Sequence, residues 1–239
     1  MKNKSLLLGF LLLFLTQNSI AQEQEHDAKQ ELVSLFRAWR SFEIPPLQNG
    51  VPDYSEEAFD LRWNTFLELK TTLDGLQKDK WTVSHLVDWH LLWAEMNGYI
   101  FNYKVLKPWQ RDPAYYKSIW TYKSDVPAHE GPTNHATTEL WQYTFPLDKE
   151  SSVRLMESLK LIPLLQEQAK RNLTGNARDL WVTGIRDIKE QIEVLESIRA
   201  NAGVAEDDEL STSINNAIVS TEQFVAWLTS QIPNKNGPS

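Results

Sequence analysis

Apolar residues recur every three or four positions along most of the chain, which is the period of an amphipathic α-helix. The pattern is longest between Trp81 and Pro108, where it runs through Val83, Leu86, His90, Trp93, Asn97, Ile100 and Lys104. The apolar arc is wide, so we predict a central helix that is buried against several neighbours. Pro108 is expected to end this helix, because proline lacks an amide donor and disfavours helix in the residue before it.

The same period predicts further helices before and after this segment. They cover residues 28–42, 56–73, 113–122, 134–143, 149–172, 177–200 and 206–229. Pro163 is expected to divide segment 149–172 into two helices in line. Residues 43–54 and 124–133 are rich in proline and glycine and are predicted to be loops. Because no convincing strand pattern is present, the sequence predicts an all-α fold, a multi-helix array of long antiparallel helices.

Three local signals mark expected helix ends. Ser55 precedes two acidic residues and is a predicted N-cap. Asp112-Pro113 is typical of a helix start, with proline at the first helical position. Thr174-Gly175-Asn176 is expected to close one helix and cap the next.

The first 21 residues have the composition of a targeting segment. Two lysines precede the apolar run 6–15, and Ser19-Ile20-Ala21 places small residues where a signal peptidase cuts. The run is too short to cross a bilayer, which takes about 20 residues. We therefore predict a signal peptide over residues 1–21, cleavage after Ala21, and an exported protein, periplasmic or extracellular. Residues 22–239 would form one helical domain.

Composition narrows the possible partners and chemistry. The net charge is −8, and loss of the two lysines of residues 1–21 lowers it to −10. With no basic cluster, this charge argues against nucleic acid and against an anionic membrane as partners. The absence of cysteine excludes disulfides, thiolate metal sites and a thiol nucleophile. Ten tryptophans are present. Most fall on helical stripes and are predicted to be core, with a ligand groove as the alternative.

The sharpest chemical pattern lies at His129-Glu130, followed by His135. Two histidines and a carboxylate can bind zinc, with Glu130 acting as base toward a metal-bound water. The usual zinc helix motif, however, spaces its histidines four residues apart. Here they are six apart, and Gly131 and Pro132 oppose a helix. We predict a polar connecting loop, with a small metalloenzyme site at His129, Glu130 and His135 as the alternative.

A second group of polar residues lies on the predicted central helix. His85 and His90 are five residues apart and so face different sides, while Asp88 is placed to orient the ring of His85. These residues are expected to be structural, with a pocket wall as the alternative. Asn172-Leu173-Thr174 matches a glycosylation sequon but lies at a helix end, so it is discounted. The chain has no glycine-rich phosphate loop, serine nucleophile elbow or haem motif.

Three stretches carry a resemblance to a known family. They are Leu106–Pro113 with Tyr116, Ile162–Leu165 with Ala169 and Asn172-Leu173-Thr174, and Phe224–Leu228. Together they resemble the N-terminal part of the domain-of-unknown-function 885 family, bacterial exported proteins of zinc-metallopeptidase type. The resemblance implies an all-α exported hydrolase that acts on peptide substrates with zinc, as gluzincin-type peptidases do. It implies a His-Glu-x-x-Pro-Gly-His metal motif in the later part of such chains.

That motif is missing from these 239 residues. HEGPTNH at positions 129–135 shares its His-Glu opening and outer histidine spacing, but lacks the Pro-Gly pair and comes early. No catalytic, cofactor-binding or metal-binding residue is therefore assigned, and no cofactor is expected in this span. Segment 231–239 consists of loop-forming residues directly after a helix. We predict the N-terminal helical part of a metallopeptidase-like protein, inactive alone and with an exposed apolar face; the alternative is a complete binding module with a tryptophan-lined groove.

Overall fold

Long α-helices make up most of the structure, a computed structural model that describes residues 29–123, 135–205 and 208–238. The helices are α1 (29–43), α2 (Glu56–Gly75), α3 (Val83–Phe101), α4 (Pro108–Arg111), α5 (Lys149–Asn172), α6 (Arg178–Asn201) and α7 (Glu209–Gln231). Shorter 3₁₀ turns lie at Pro113–Tyr116, Leu140–Gln142 and Ile232–Asn234. The predicted all-α fold is confirmed.

Four two-residue strands correct the expectation of no strand. β1 (Leu47–Gln48) and β2 (Val51–Pro52) pair antiparallel within the predicted loop 43–54. The turn between them is Asn49-Gly50, where both residues have positive φ, as a type I′ hairpin turn requires. β3 (Ile119–Trp120) and β4 (Thr138–Glu139) pair parallel. The predicted helices 113–122 and 134–143 are therefore wrong, because each is a single 3₁₀ turn beside a strand.

The described chain divides into two compact units. Unit 1 contains residues 29–44 and 62–99, and unit 2 contains residues 45–61 and those from 100 onward. In unit 1, the rings of Trp39, Phe42, Phe66 and Tyr99 pack within 6.1 Å of one another. A hydrogen bond also joins α1 to α3, because the Trp39 indole N–H donates to the Glu95 carboxylate at 3.0 Å.

Unit 2 is organised around α7, which packs against both α5 and α6. Arg178 at the start of α6 donates to the carbonyl of Ile232, and Arg199 near its end donates to Asn215. α6 and α7 are therefore antiparallel. The contact faces of α5, α6 and α7 carry the predicted apolar stripes, whose fully buried members are Leu155, Leu159, Ile162, Leu165, Trp181, Ile188, Leu195, Ile214, Phe224 and Leu228.

Gly184 lets the 3₁₀ turn Pro113–Tyr116 lie directly on α6. A β-carbon at this position would come 2.7 Å from the backbone nitrogen of Ala114 and 2.9 Å from Cβ of Pro113. A β-carbon does not approach a non-bonded atom this closely, so glycine is required where the turn meets the helix.

The long helices differ from the prediction in two details. α5 continues through Pro163 as a single helix instead of two. Burial of Leu159, Ile162 and Leu165 on either side of the proline holds the helix together despite the lost hydrogen bond. The central helix keeps its α-form only to Phe101, after which Asn102–Leu106 form a π-helical turn and Lys107 adopts the left-handed conformation.

Two of the three predicted end signals are confirmed. The Ser55 hydroxyl accepts from the amide of Ala58, and the Asp112 carboxylate accepts from the amide of Ala114. Thr174-Gly175-Asn176 does connect α5 and α6, but α6 has Ala177 at its N-cap and no side-chain cap there. The Asn176 side chain instead binds Asn236.

Residues 1–28 lie outside the described part, so the signal peptide and export stay predictions. Within the described residues, no helix is both long enough and apolar enough to cross a membrane.

Candidate functional site

The three stretches that carry the family resemblance meet in one hydrophobic core in unit 2. Residues from all three belong to the same buried cluster: Trp109 and Tyr116 from the first, Leu165, Ala169 and Leu173 from the second, and Phe224 and Leu228 from the third. More than 100 positions separate the first stretch from the last. The sequence analysis identified the three stretches but did not predict that they pack against one another.

Trp109 shows how the first stretch is fixed in this core. Lys107 takes a left-handed backbone conformation, φ 43°, and Pro108 then starts α4. This reversal directs the Trp109 ring onto Phe59, with ring centroids 3.7 Å apart and planes within 17° of parallel. The unusual backbone of Lys107 thus serves the burial of an aromatic side chain.

A buried polar clamp joins α5 to the segment that precedes α2. The side chain of Gln168, 2% exposed, accepts from the Tyr54 amide at 2.9 Å and donates to the Pro52 carbonyl at 3.0 Å. One turn later, Asn172 donates to the Tyr54 carbonyl at 2.9 Å and lies 3.1 Å from the Tyr116 hydroxyl. The Tyr116 hydroxyl in turn donates to the Trp109 carbonyl.

Burial governs the titration of two groups in this region. Burial raises the pKa of Tyr116 far above its ordinary value, so the hydroxyl stays protonated and able to donate. Burial also raises the pKa of Asp112, and the nearby Asp187 carboxylate adds to the rise, outweighing the hydrogen bond from Ala114 that lowers it. Both groups hold backbone in place, because the Tyr116 hydroxyl donates to the Trp109 carbonyl and the Asp112 carboxylate accepts from the Ala114 amide.

The segment after α7 is tied down at the loop between α5 and α6. Lys235, 9% exposed, donates to the Gly175 carbonyl at 2.8 Å, and its ammonium lies 3.8 Å from the centre of the Trp181 ring. Burial lowers the pKa of Lys235. Asn236 exchanges hydrogen bonds with Asn176. The loop-forming composition of 231–239 is thus compatible with an anchored segment.

Among the described residues, the candidate site histidines His85 and His90 are not brought together. His129 and Glu130 lie outside the described residues, and the backbone N–H of His135 donates to the Tyr54 hydroxyl at 2.5 Å. On α3, His85 is buried while His90 is exposed and contacts its own helix at the Leu86 carbonyl. Asp88 is exposed. Within the described residues, no group of three histidine, aspartate or glutamate side chains could hold a metal ion.

An open cleft of about 1350 Å³ lies within unit 1, between α1, the end of α2 and the turn before α3. Leu35, Leu69 and Leu76 line it with apolar surface, and Trp81 contributes an aromatic wall. The Trp81 indole N–H is buried and finds no acceptor among the described residues. Ala38 and Gly75 add small residues to the lining, and its polar residues are Gln30, Glu31, Ser34, Thr72, Gln77, Asp79 and Lys80. The sequence did not predict this cleft, because its walls come from three separate elements.

The tryptophans divide between core and surface. Trp39, Trp109 and Trp181 are buried, as the helical stripes predicted, whereas Trp93 on α3 is 42% exposed and Trp141 is 36% exposed. Trp93 stacks on Trp89, with ring centroids 6.3 Å apart. The prediction of core is therefore confirmed for some of the ten and wrong for others.

Comparison of the chain with models of known families, with curated proteins and with solved structures finds no match.

Proposed function

We propose that this chain is the N-terminal helical part of an exported hydrolase of zinc-metallopeptidase type, in which it supplies the scaffold. The observation that carries the proposal is the convergence of the three resembling stretches in one buried core. Segments that resemble a family and also pack on one another fit the inheritance of a shared helical framework. The peptide substrate and the zinc belong to the longer protein.

The contacts within this core support a structural role. Trp109, Leu165 and Phe224 are apolar and enclosed, so they contribute packing energy but offer no reactive group. The polar side chains of Gln168 and Asn172 form hydrogen bonds with the backbone of residues 52–54. Amide side chains that bind the backbone of a distant segment fix the path of that segment.

The zinc site is assigned to residues beyond this chain. Its 239 residues contain no His-Glu-x-x-Pro-Gly-His motif. Among the described residues, no three suitable side chains converge, so they do not fit a zinc ion. Catalytic zinc normally has three protein ligands and an open position for water. We therefore expect this chain alone to be inactive on peptides.

The first experiment is to read the source DNA beyond codon 239. An open frame that reaches a His-Glu-x-x-Pro-Gly-His motif supports the proposal, and a stop codon directly after Ser239 overturns it. The longer product is then purified beside the 239-residue chain. We expect zinc-dependent peptide hydrolysis from the longer product and none from the shorter one. Mass spectrometry is expected to show that the exported product begins at Gln22.

A second candidate function, a binding module, is favoured by the cleft of unit 1. Its leucine floor and Trp81 wall suit an apolar ligand. The test is calorimetric titration with N-acetyl-leucinamide into the chain and into Leu69→Arg, which places a charge on the cleft floor. Leu67→Arg is the matched control, because Leu67 is exposed on the same helix outside the cleft lining. Saturable binding lost only in Leu69→Arg supports this function, while no binding to the unaltered chain removes it.

A further inference from the structure

An uncharged apolar line runs along the outer side of α3 in unit 1. Val83, Val87 and Leu91 are 78%, 51% and 60% exposed, and Ala94 and Gly98 are exposed farther along the helix. These five residues, which we call the α3 face, follow one another at intervals of three or four positions, so they form a continuous stripe. Within α3, the only ionisable side chain on this side is that of His90.

The inner side of the same helix is already packed. His85, Leu92 and Met96 are buried. Of the two acidic side chains on α3, Glu95 binds Arg40 at 2.8 Å and Asp88 lies to one side of the α3 face. A surface helix normally turns charged residues to water, whereas a helix that is apolar all round is buried on all sides. The composition of α3 therefore fits a helix with a second neighbour.

The two small residues show where that neighbour would approach most closely. A β-carbon built on Gly98 meets no atom within 4 Å, so the space above it is open. Ala94 lies one turn earlier on the same side. The distance between packed helices depends on the side chains at the contact, so small residues allow an approach near the lower end of the usual range of roughly 8–10 Å. The larger Val83, Val87 and Leu91 would hold the other end of the neighbour farther out.

The size of the α3 face indicates what kind of partner covers it. From Val83 to Gly98 it is about 22 Å long and roughly 10 Å wide, or about 220 Å². A stable complex buries about 800 Å² on each partner. The face is therefore too small to hold a second copy of the chain by itself. A helix of the same polypeptide can dock on it, because intramolecular contact avoids most of the entropy cost of association.

We propose that the α3 face receives a helix from the metal-carrying portion of the longer protein, packed across Ala94 and Gly98. The inference rests on the proposed function and names its internal partner. The chemistry of the face defines that helix: apolar side chains three and four positions apart, no ionised group on the contact side, and a larger residue opposite Ala94 and Gly98. Docking there would connect unit 1 to the portion that performs hydrolysis.

Because the chain has no cysteine, a single introduced thiol reports on this face without background. Leu91→Cys places the thiol in the α3 face, and Glu193→Cys places one on an exposed position of α6 as the matched control. The rate of reaction with a maleimide is measured in the 239-residue chain at several concentrations and in the longer product. We expect both thiols to react quickly in the shorter chain, and the thiol of Leu91→Cys to react about tenfold or more slowly in the longer product.

The outcomes separate the inference from the proposed function. Equal rates for both thiols in a longer product that still hydrolyses peptides with zinc would overturn the docking inference alone. Protection of the Leu91→Cys thiol that rises with concentration in the shorter chain would make a second copy the occupant. Protection of the Leu91→Cys thiol at every concentration of the shorter chain would mean that the chain covers its own α3 face. Either result overturns the inference, and an absent or inactive longer product counts against the proposed function instead.

A second variant checks the close approach. Gly98→Leu adds a large side chain where the isolated chain has open space. It is expected to leave the melting temperature of the 239-residue chain unchanged or higher. Combined with Leu91→Cys in the longer product, it is expected to abolish the protection of the introduced thiol. Unchanged protection in that double variant would show that no helix crosses at this point.

Discussion

Unit 1 and unit 2 differ in how exposed apolar residues are distributed on their helices. On the three longest helices of unit 2, exposed large apolar residues do not form a continuous stripe, which is ordinary for a protein surface. On α5, Val153 and Leu164 lie three turns apart, and α6 and α7 expose one each, Val182 and Val219. In unit 1 the α3 face lines up five exposed uncharged residues on one helix. The comparison indicates that α5, α6 and α7 have buried their apolar stripes among the described residues, whereas α3 has packed one side only.

The largest difference should appear when one apolar side chain is removed from each unit. Phe224→Ala empties a fully buried position on α7, so we expect the free energy of unfolding to fall by about 3–5 kcal/mol. Leu91→Ala on α3 should change it by less than about 0.5 kcal/mol, since that side chain is mostly in water. Urea unfolding followed by circular dichroism measures both. A comparable loss in the two variants would mean that the α3 face is packed in the isolated chain.

The polar clamp gives the next largest effect, and it belongs to unit 2. Gln168→Met leaves the Tyr54 amide and the Pro52 carbonyl without their buried partners, which should cost about 1–3 kcal/mol. Gln223→Met on α7 is the control, because that glutamine is exposed. The same denaturation experiment checks both variants. If Gln168→Met were as stable as its control, the clamp would not determine how residues 52–54 are held.

Alanine substitutions at one glycine in each unit are expected to change the stability in opposite directions. Gly184→Ala in unit 2 forces a methyl group against the 3₁₀ turn at Pro113, and overpacking of this kind costs about 1–3 kcal/mol. Gly98→Ala in unit 1 meets no atom, and replacing a helical glycine by alanine should gain about 0.5–1 kcal/mol. Melting temperatures should therefore move in opposite directions. Two losses would show that Gly98 has a neighbour that the described residues do not include.

The smallest effect concerns pH. Burial, with the Asp187 carboxylate adding to it, raises the pKa of Asp112 above its ordinary 3.8 in the folded state. The stability that this group contributes is full below pH 3.8 and is lost as the pH rises through the raised value. Asp112→Asn cannot ionise and can still accept from Ala114, so its stability relative to the original chain should increase over that range. Parallel pH profiles for the two proteins would contradict this assignment.

The sequence predicted best what depends on local pattern. α5, α6 and α7 lie within a few residues of their predicted bounds, because their apolar stripes face the core and Asp148 and Asp208 cap two of them. Periodicity located α3 correctly, but the prediction that this helix is buried against several neighbours is wrong among the described residues, because Val83, Val87 and Leu91 are exposed. The helix is apolar on both sides, so the pattern could not say which side is buried. β3 was missed because a distant side chain, Gln191, binds the amides of Ser118 and Ile119.

The meeting of the three resembling stretches could not be predicted from their composition. Each stretch reads locally as a helix or a turn, and their contact depends on tertiary packing across the bundle. The clamp residue Gln168 was missed for the same reason, since a glutamine in a helix is usually exposed. The sequence signal that could have predicted its burial is its position on the apolar side of α5, one turn before Asn172.

The hydrogen bonds of Asn172 have a consequence for producing the protein in a eukaryotic secretory host. Its side-chain nitrogen, the atom to which an N-linked glycan would attach, lies within hydrogen-bonding distance of Tyr54, Tyr116 and Gln168. A sugar at that atom would displace these contacts, so glycosylation and the folded clamp exclude each other. In such a host, the fraction of product that carries a glycan would record how often the oligosaccharide was transferred before α5 met residues 52–54.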